Sequence, residues 1–243
     1  MRARTVAVGL LVVAAAGVCV RLGAWQLARH AHKHALNVAL DRALAAPPET
    51  LALVTAPAAA LRGRIVALRG AFDPRRHVLL AGRLHLGEPG VHVVTPFVLA
   101  GGATAVLVDR GWLPAADGVT AQPPDAPADT VVSGLSDTLG RAGAAGAMRT
   151  IVAGEATVWS AERLDRDTIA ARLPYAVATF TVTELPSPAA PPLPAREPPP
   201  RHDEAMHLGY AIQWFAFAII ILVGPAALAW SRRARTGRGR RER

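Results

Sequence analysis

Two long apolar segments, one near each end of the chain, limit the architecture more strongly than any other sequence feature. They cover residues 5–27 and 207–230. A helix rises about 1.5 Å per residue, so each segment is long enough to cross a hydrocarbon core of about 30 Å. Because a bilayer interior offers no partner to an unpaired backbone, both segments are predicted to be transmembrane α-helices.

The net charge of +9 is concentrated outside these segments, at the two ends of the sequence. Arg2 and Arg4 precede the first segment, and seven arginines with one glutamate follow the second over 231–243. The positive-inside rule therefore predicts cytoplasmic termini and an extracytoplasmic central part, in a bacterial plasma membrane. Nucleic-acid binding needs a basic surface on a folded domain, so lipid is the expected partner and nucleic acid is not.

A cleaved signal peptide is the alternative interpretation of the first segment, because it has a basic start and small residues at Ala14 and Ala16. The motif that follows it favours a retained anchor. Cys19 is the one cysteine and lies within this apolar run, so the central domain is expected to fold without an intrachain disulfide.

Between the apolar segments, the sequence first continues as a helix over 28–46, which Pro47 and Pro48 end. Short runs rich in β-branched residues follow, separated by Gly, Pro and Asp. A short helix is predicted at 165–173, capped by Asp165. The predicted strands are 64–72, 77–84, 91–99, 104–113, 130–135 and 175–184.

The predicted fold is thus a membrane protein with two transmembrane α-helices flanking a small, mainly antiparallel α+β extracytoplasmic domain. The proline-rich stretch 186–200 is interpreted as a polyproline II spacer before the second span. The predicted division is a cytoplasmic N-terminus (1–4), a first span (5–27), the extracytoplasmic domain (28–206), a second span (207–230) and a basic cytoplasmic tail (231–243).

The start of the second span contains the most informative cluster of side chains. His207, Tyr210, Trp214 and Phe217 share one helical face, which suits an axial haem ligand above an aromatic wall, with Gln213 nearby for polar substituents. An interfacial anchor is the alternative, because these residue types also favour the headgroup region.

Three further features carry ionisable or metal-binding groups. Arg21 lies within the first span, where it either pairs with a cofactor carboxylate such as a haem propionate or snorkels to phosphate. The HAHKH run at 30–34 has the spacing for copper or zinc, although a solvated juxtamembrane helix is the simpler interpretation. His202, Met206 and His207 form a looser set that suits copper. No nucleophile elbow, phosphate loop or HExxH motif is present in the sequence, so no enzyme activity is expected.

Three blocks in order resemble the surfeit locus protein 1 family. The first, 22–33, matches a Leu-Gly-x-Trp-Gln-Leu-x-Arg pattern followed by Lys, with His32 where the family often has Trp. The second, 70–114, ends in a Val-Asn-Arg-Gly-Trp-aliphatic-Pro signature, with Asp109 in place of Asn. The third, 207–218, resembles the His-x-x-Tyr-Ala-x-Gln-Trp-Phe start of the family's second span. The matching residues are Leu22, Gly23, Trp25, Gln26, Leu27, Arg29, Lys33, Gly90, Thr95, Pro96, Val108, Arg110, Gly111, Trp112, Pro114, His207, Tyr210, Ala211, Gln213, Trp214 and Phe215.

This resemblance implies an assembly factor for haem-copper cytochrome c oxidase. Bacterial members are associated with haem a binding and its insertion into the catalytic subunit, which makes oxidase subunits, and a haem a donor enzyme, the expected partners. The family histidine corresponds to His207, the expected iron ligand. Trp25, Gln26, Tyr210, Gln213 and Trp214 are the expected cofactor-binding residues around it, with Arg21 added from its position. The alternatives are a haem-free scaffold for oxidase subunits and, less favoured, a copper-delivery protein.

Overall fold

A computed structural model describes residues 2–51, 57–128, 131–140, 148–153 and 156–238. The chain forms two compact units. The first consists of Met1–Ala39 and Arg201–Arg243, and the second of Leu40–Pro200.

The first unit contains most of helix α1 (Arg2–Ala45) and helix α4 (Ala205–Arg238). Among the described residues, these are the two helices that are long and apolar enough to cross a membrane, over Ala3–Ala45 and Ala205–Pro225. The single helix α1 confirms that the segment 28–46 continues the first span without a break. It ends before Pro47 and Pro48, as predicted, because proline cannot donate to the helical ladder.

The second unit is built on one sheet, which contains nine strands within the described residues. Six of the strand pairings are antiparallel and three are parallel, which confirms the mainly antiparallel fold. The strands are β1 (Glu49–Leu51), β2 (Ile65–Phe72), β3 (Arg76–His85), β4 (Glu88–Leu99), β5 (Thr104–Pro114), β6 (Val131–Thr138), β7 (Arg149–Ala153), β8 (Ala156–Ala161) and β9 (Ala176–Glu184).

Five of these strands close into a ring, because β2 pairs with β6 on one side and with β4 on the other. The order around the ring is β2, β6, β9, β5 and β4. Alternate residues of these strands point inward and form the main core, as a period of two requires. Its largest fully buried members include Phe97, Phe180 and Leu68. Closure removes two of the exposed edges that an open sheet would leave.

Two short helices cover parts of this sheet. Helix α2 (Ala58–Leu61) places Leu61 in the ring core, and helix α3 (Arg166–Ala170) places Ile169 in a second apolar cluster with Trp159. The carboxylate of Asp165 accepts a hydrogen bond from the backbone N–H of Thr168, so the predicted N-cap is confirmed.

Six strands match their predictions to within a few residues, whereas β1, β7, β8 and helix α2 were not predicted. Strand β1 has three residues and β7 has five, too few to show an alternating pattern. Strands β3 and β4 form a hairpin and join through Leu86 and Gly87, both with positive φ as a two-residue turn requires.

The proline-rich stretch differs from a free spacer over part of its length. Ala195 forms an antiparallel bridge with Trp112 of β5 through two backbone hydrogen bonds of 2.9 and 2.7 Å. Arg196 donates to both carboxylate oxygens of Glu184, and Glu197 pairs with His85. These contacts fasten the end of the stretch to the sheet of the second unit.

The buried His77 gives this unit a predicted pH dependence. Burial, and then the positive charge of Arg110, lower the pKa of His77, whose ring bonds to Thr95 and to the carbonyl of Pro74. A histidine with a lowered folded pKa takes up its proton more readily when unfolded, near pH 6.5. Stability is therefore present above that pH and is lost as the pH falls, by at most about 1.4 kcal/mol per pH unit.

Thermal unfolding of the full chain in detergent between pH 7 and pH 5 should show this loss. His77→Gln should have a shallower pH dependence than the wild type, because glutamine does not titrate. Parallel pH profiles for the two proteins would show that His77 is not the responsible group.

Candidate functional site

The site is built on a seam where α1 and α4 pack against each other inside the first unit. Ala16, Cys19 and Gly23 of α1 are buried, as are Ala211 and Ala218 of α4. Small residues at a helix–helix interface let the backbones approach closely, and van der Waals packing then holds the pair in a membrane. The spacings of three, four and seven residues keep these side chains on one face of each helix.

Gly23 is the closest point of this seam. A Cβ atom at this position would lie 2.8 Å from two ring carbons of Phe215. That separation is shorter than any normal carbon–carbon contact, so Phe215 occupies the space that a side chain on Gly23 would need. The absence of a Cβ at position 23 therefore sets how close α1 and α4 can lie.

Toward the start of α4 the seam becomes polar. The side chain of Asn37 both donates to the carbonyl of His202 (2.9 Å) and accepts from its backbone N–H (3.0 Å). Lys33 donates to the carbonyl of Asp203 at 3.2 Å. These bonds satisfy backbone groups that precede α4, which an unpaired helix end would leave open.

Two histidines of the HAHKH run also contact this segment. His30 Nδ1 donates to the carbonyl of Glu204 at 2.9 Å, and His34 Nδ1 lies 2.8 Å from the carboxylate of Glu204. Among the described residues, no group of three or more His, Cys, Asp or Glu side chains is placed to hold a metal ion. The two histidines join α1 to the start of α4, and the alternative of a metal site in this run gains no support from the described residues.

His207 and Gln26 meet at the boundary between the polar and the apolar parts of the seam. His207 Nδ1 lies 2.7 Å from the amide oxygen Oε1 of Gln26. A carbonyl oxygen can only accept, so the proton of the neutral ring is on Nδ1 and a lone pair remains on Nε2. Nε2 is shielded from solvent and has no hydrogen-bond partner among the described residues. A buried nitrogen with an unused lone pair is what an axial metal ligand requires.

The other predicted site residues lie mostly on exposed surface of the first unit. The face predicted to carry His207, Tyr210, Trp214 and Phe217 is divided: His207 and Trp214 are half-buried, whereas Tyr210 and Phe217 are 46% and 48% exposed. The rings of Trp214 and Phe217 contact edge to face at 5.9 Å. The remaining exposed residues are Trp25, Gln213 and Arg21.

This division follows from the heptad spacing of the seam. His207 and Trp214 are seven residues apart and stand on the same side of α4 as Ala211 and Ala218. Tyr210 and Phe217, each three residues after one of these positions, lie on a neighbouring, more exposed ridge of α4. The prediction of a single broad helical face grouped all four positions. The small residues at 16, 19 and 23 were the available signal for the narrower seam, and sequence reasoning missed it.

The central signature lies in the second unit and is structural. The buried guanidinium of Arg110 donates to the carbonyls of Pro124 (3.2 Å) and Asp125 (2.8 Å) and lies over the ring of Phe72. Asp109 accepts from His92 at 2.8 Å and from the backbone N–H of Gly111 at 3.0 Å. The Arg110 contacts anchor β5 to the irregular segment that follows it, and the contact between Asp109 and His92 joins β5 to β4.

Trp112 completes the signature. It is buried, its backbone pairs with Ala195, and its indole Nε1 lies directly against Gly90, where a Cβ would overlap it. The ring of His85 packs 5.0 Å away, centroid to centroid. The tryptophan therefore links β5, β4 and the bridged Ala195.

Comparisons with known proteins agree with the three sequence blocks. The chain is 32% identical over 108 residues to surfeit locus protein 1 of Takifugu rubripes, covering 38% of this chain and 45% of that protein. It is 35% identical over 107 residues to surfeit locus protein 1 of Mus musculus, covering 38% and 35%. A SURF1-like protein of Monosiga brevicollis is 33% identical over 105 residues, covering 39% and 40%.

These alignments span less than half the length of the curated relatives. The match to the family as a whole is longer: the model of the SURF1 family matches residues 13–219. That range includes α1 from its apolar part onward, the whole sheet, and α4 as far as the seam residue Ala218. On this match, which covers most of the sequence and contains both His207 and Gln26, the chain belongs to the SURF1 family.

Proposed function

We propose that this protein assists the assembly of haem-copper cytochrome c oxidase by binding haem a through His207 and presenting it to the catalytic subunit. Membership of the SURF1 family supports a role in oxidase assembly. The observation that carries the haem-binding part is the state of the His207 ring: Nδ1 is paired and Nε2 is buried and unpaired among the described residues.

The residues around His207 fit a haem ligand. Gln26 holds the ring in one tautomer, and among the described residues no side chain uses the lone pair of Nε2. Nε2 of His207 would therefore supply the bond that holds the iron of haem a. The half-buried Trp214 and the exposed Tyr210 and Trp25 supply aromatic surface on the same unit, which suits contact with a flat macrocycle.

The position of His207 suits the boundary of a membrane. It is the third residue of the apolar stretch Ala205–Pro225. With Arg2, Arg4 and the basic tail on the cytoplasmic side, this end of α4 lies at the outer face of the plasma membrane, and the sheet domain is extracytoplasmic. Haem bound there is within reach of an oxidase subunit embedded in the same membrane, so oxidase subunits are the proposed partners and transfer, without catalysis, is the proposed role.

The test is an absorption spectrum of the detergent-solubilised full chain purified from a host that makes haem a. The wild type should carry a reduced haem a band, and His207→Ala should lose it, because alanine supplies no ligand. His32→Ala is the matched control: His32 is exposed on α1 and should leave the band unchanged.

Two outcomes would contradict this proposal. Haem-free wild-type protein that still co-purifies with oxidase subunits would favour the scaffold alternative. An unchanged band in His207→Ala would place the ligand elsewhere. Copper delivery stays the less favoured alternative, because His30 and His34 pair with Glu204 and the described residues contain no group of three or more His, Cys, Asp or Glu side chains placed to hold a metal ion.

A further inference from the structure

We propose that Gln26 is a positioning residue that fixes the tautomer and orientation of His207, so that Nε2 is the nitrogen available to a ligand. This inference rests on the proposed function and extends it. The family resemblance implies direct contact between Gln26 and the cofactor. The hydrogen bond of 2.7 Å between Gln26 and His207 Nδ1 indicates instead that Gln26 acts through the histidine.

The hydrogen bond decides which ring nitrogen is free. A neutral imidazole carries one proton, and the amide oxygen of Gln26 can be satisfied only if that proton is on Nδ1. If the tautomer reversed with the amide in this orientation, two lone pairs would face each other across 2.7 Å. If the amide also turned over, its NH2 group would donate to Nδ1, but Nε2–H would still be a buried donor without a partner among the described residues. An unpaired buried donor costs free energy, so the site favours a bare Nε2.

The seam keeps Gln26 in place for this task. Gln26 is three residues after Gly23, whose close approach to Phe215 holds α1 against α4. Gln26 therefore lies about one helical turn from the point where α1 and α4 approach most closely. In a region of low dielectric constant the bond is stronger than in water.

The hydrogen bond between His207 and Gln26 is of the same chemical kind as those found next to metal-binding histidines. A histidine that binds a metal through one nitrogen usually donates the other N–H to an oxygen acceptor, which sets the ring angle and raises the basicity of the ligand. Removing such an acceptor typically lowers metal affinity by about 10- to 100-fold. The same loss of haem a affinity is expected when Gln26 is replaced by leucine.

The experiment uses three variants of the full chain in detergent: Gln26→Leu, Gln26→Glu and Asn37→Leu. Gln26→Leu removes the acceptor, and Gln26→Glu keeps a carbonyl oxygen at the same place in either protonation state. Asn37→Leu is the matched control, because it removes another amide that joins the same two segments but lies away from His207.

Two readouts separate the positioning role from a general effect on packing. The first is the ¹⁵N spectrum of haem-free protein labelled at histidine, with His207 assigned from the signals missing in His207→Ala. The wild type, Gln26→Glu and Asn37→Leu should show a protonated Nδ1 and a bare Nε2, and Gln26→Leu should lose this pattern. The second is haem a affinity, which should fall about 10- to 100-fold in Gln26→Leu alone.

The outcomes distinguish this inference from the function on which it rests. A haem band that is lost in His207→Ala but unchanged in Gln26→Leu would overturn the positioning role and leave the proposed function intact. Equal losses in Gln26→Leu and Asn37→Leu would also overturn it, since both would then act through packing. If neither the wild type nor any variant binds haem a, the proposed function fails. A wild-type His207 with its proton on Nε2 would overturn the role of Gln26, whatever the haem result.

Discussion

Gly23→Leu should lower the haem a affinity of the purified protein by at least about tenfold, which corresponds to about 1.4 kcal/mol in binding free energy. The position of a Cβ at residue 23 is only 2.8 Å from the ring of Phe215, and leucine adds three further carbons. The two helices must move apart or rotate to accommodate them. Because the hydrogen bond between Gln26 and His207 spans these helices one turn away, it should break.

Gly17→Leu is the control for this prediction, because it makes the same change on the same helix at a position where, in the described part of the chain, no atom lies within 4 Å of the added Cβ. Its haem a affinity should equal that of the wild type. A second variant, Gly23→Leu combined with Phe215→Ala, removes the ring that causes the overlap and should recover part of the binding. Normal haem a affinity in Gly23→Leu, or an equal loss in Gly17→Leu, would contradict the role assigned to the seam.

Gly111→Ala should destabilise the sheet domain by about 3 kcal/mol. Gly111 has φ of +117°, a conformation that costs a residue with a Cβ about 1–3 kcal/mol. Its Cβ would also lie 2.5 Å from the carbonyl oxygen of Ala195, which is bonded to the backbone of Trp112. The overlap should separate Ala195 from β5 and loosen the bridge, adding a packing cost of about 1–3 kcal/mol.

Gly118→Ala is a suitable comparison for this effect. Gly118 also has positive φ, +64°, but its Cβ would meet no atom within 4 Å. It should cost only about 1–2 kcal/mol, the conformational part. The measurement is denaturant unfolding of the full chain in detergent, followed by tryptophan fluorescence. Equal destabilisation by the two variants would show that the contact with Ala195 contributes nothing.

These two glycines explain part of the family signature in physical terms. Gly23 belongs to the block around Trp25 and Gln26, and Gly111 stands between Arg110 and Trp112. In both blocks, the glycine lets two segments approach closely, and a nearby motif residue forms a hydrogen bond between the same two segments. Gln26 bonds to His207, and the backbone of Trp112 bonds to Ala195. The motif residues therefore act together, which single-residue inspection of the sequence does not show.

The central domain shows where local sequence signals are sufficient and where they are not. Strands such as β4 and β5 are long runs rich in β-branched and other apolar residues, and they are buried along most of their length, so their positions were predictable from the sequence. The pair β7 and β8 lies in a region of weak pattern and was missed. The pairing of β2 with both β4 and β6, which closes the ring, joins segments that no local pattern relates.

Four features could be predicted from the sequence alone: the two membrane helices, the mainly antiparallel domain between them, the N-cap at Asp165 and the family to which the chain belongs. Each of these depends on the order and spacing of residues along a short stretch. Two contacts are visible only in the tertiary structure: the hydrogen bond between Gln26 and His207, which are 181 positions apart, and the bridge between Ala195 and Trp112. A periodic pattern shows which side of a helix or strand is apolar. The choice of the element that meets that side depends on packing and on hydrogen bonds between distant parts of the chain.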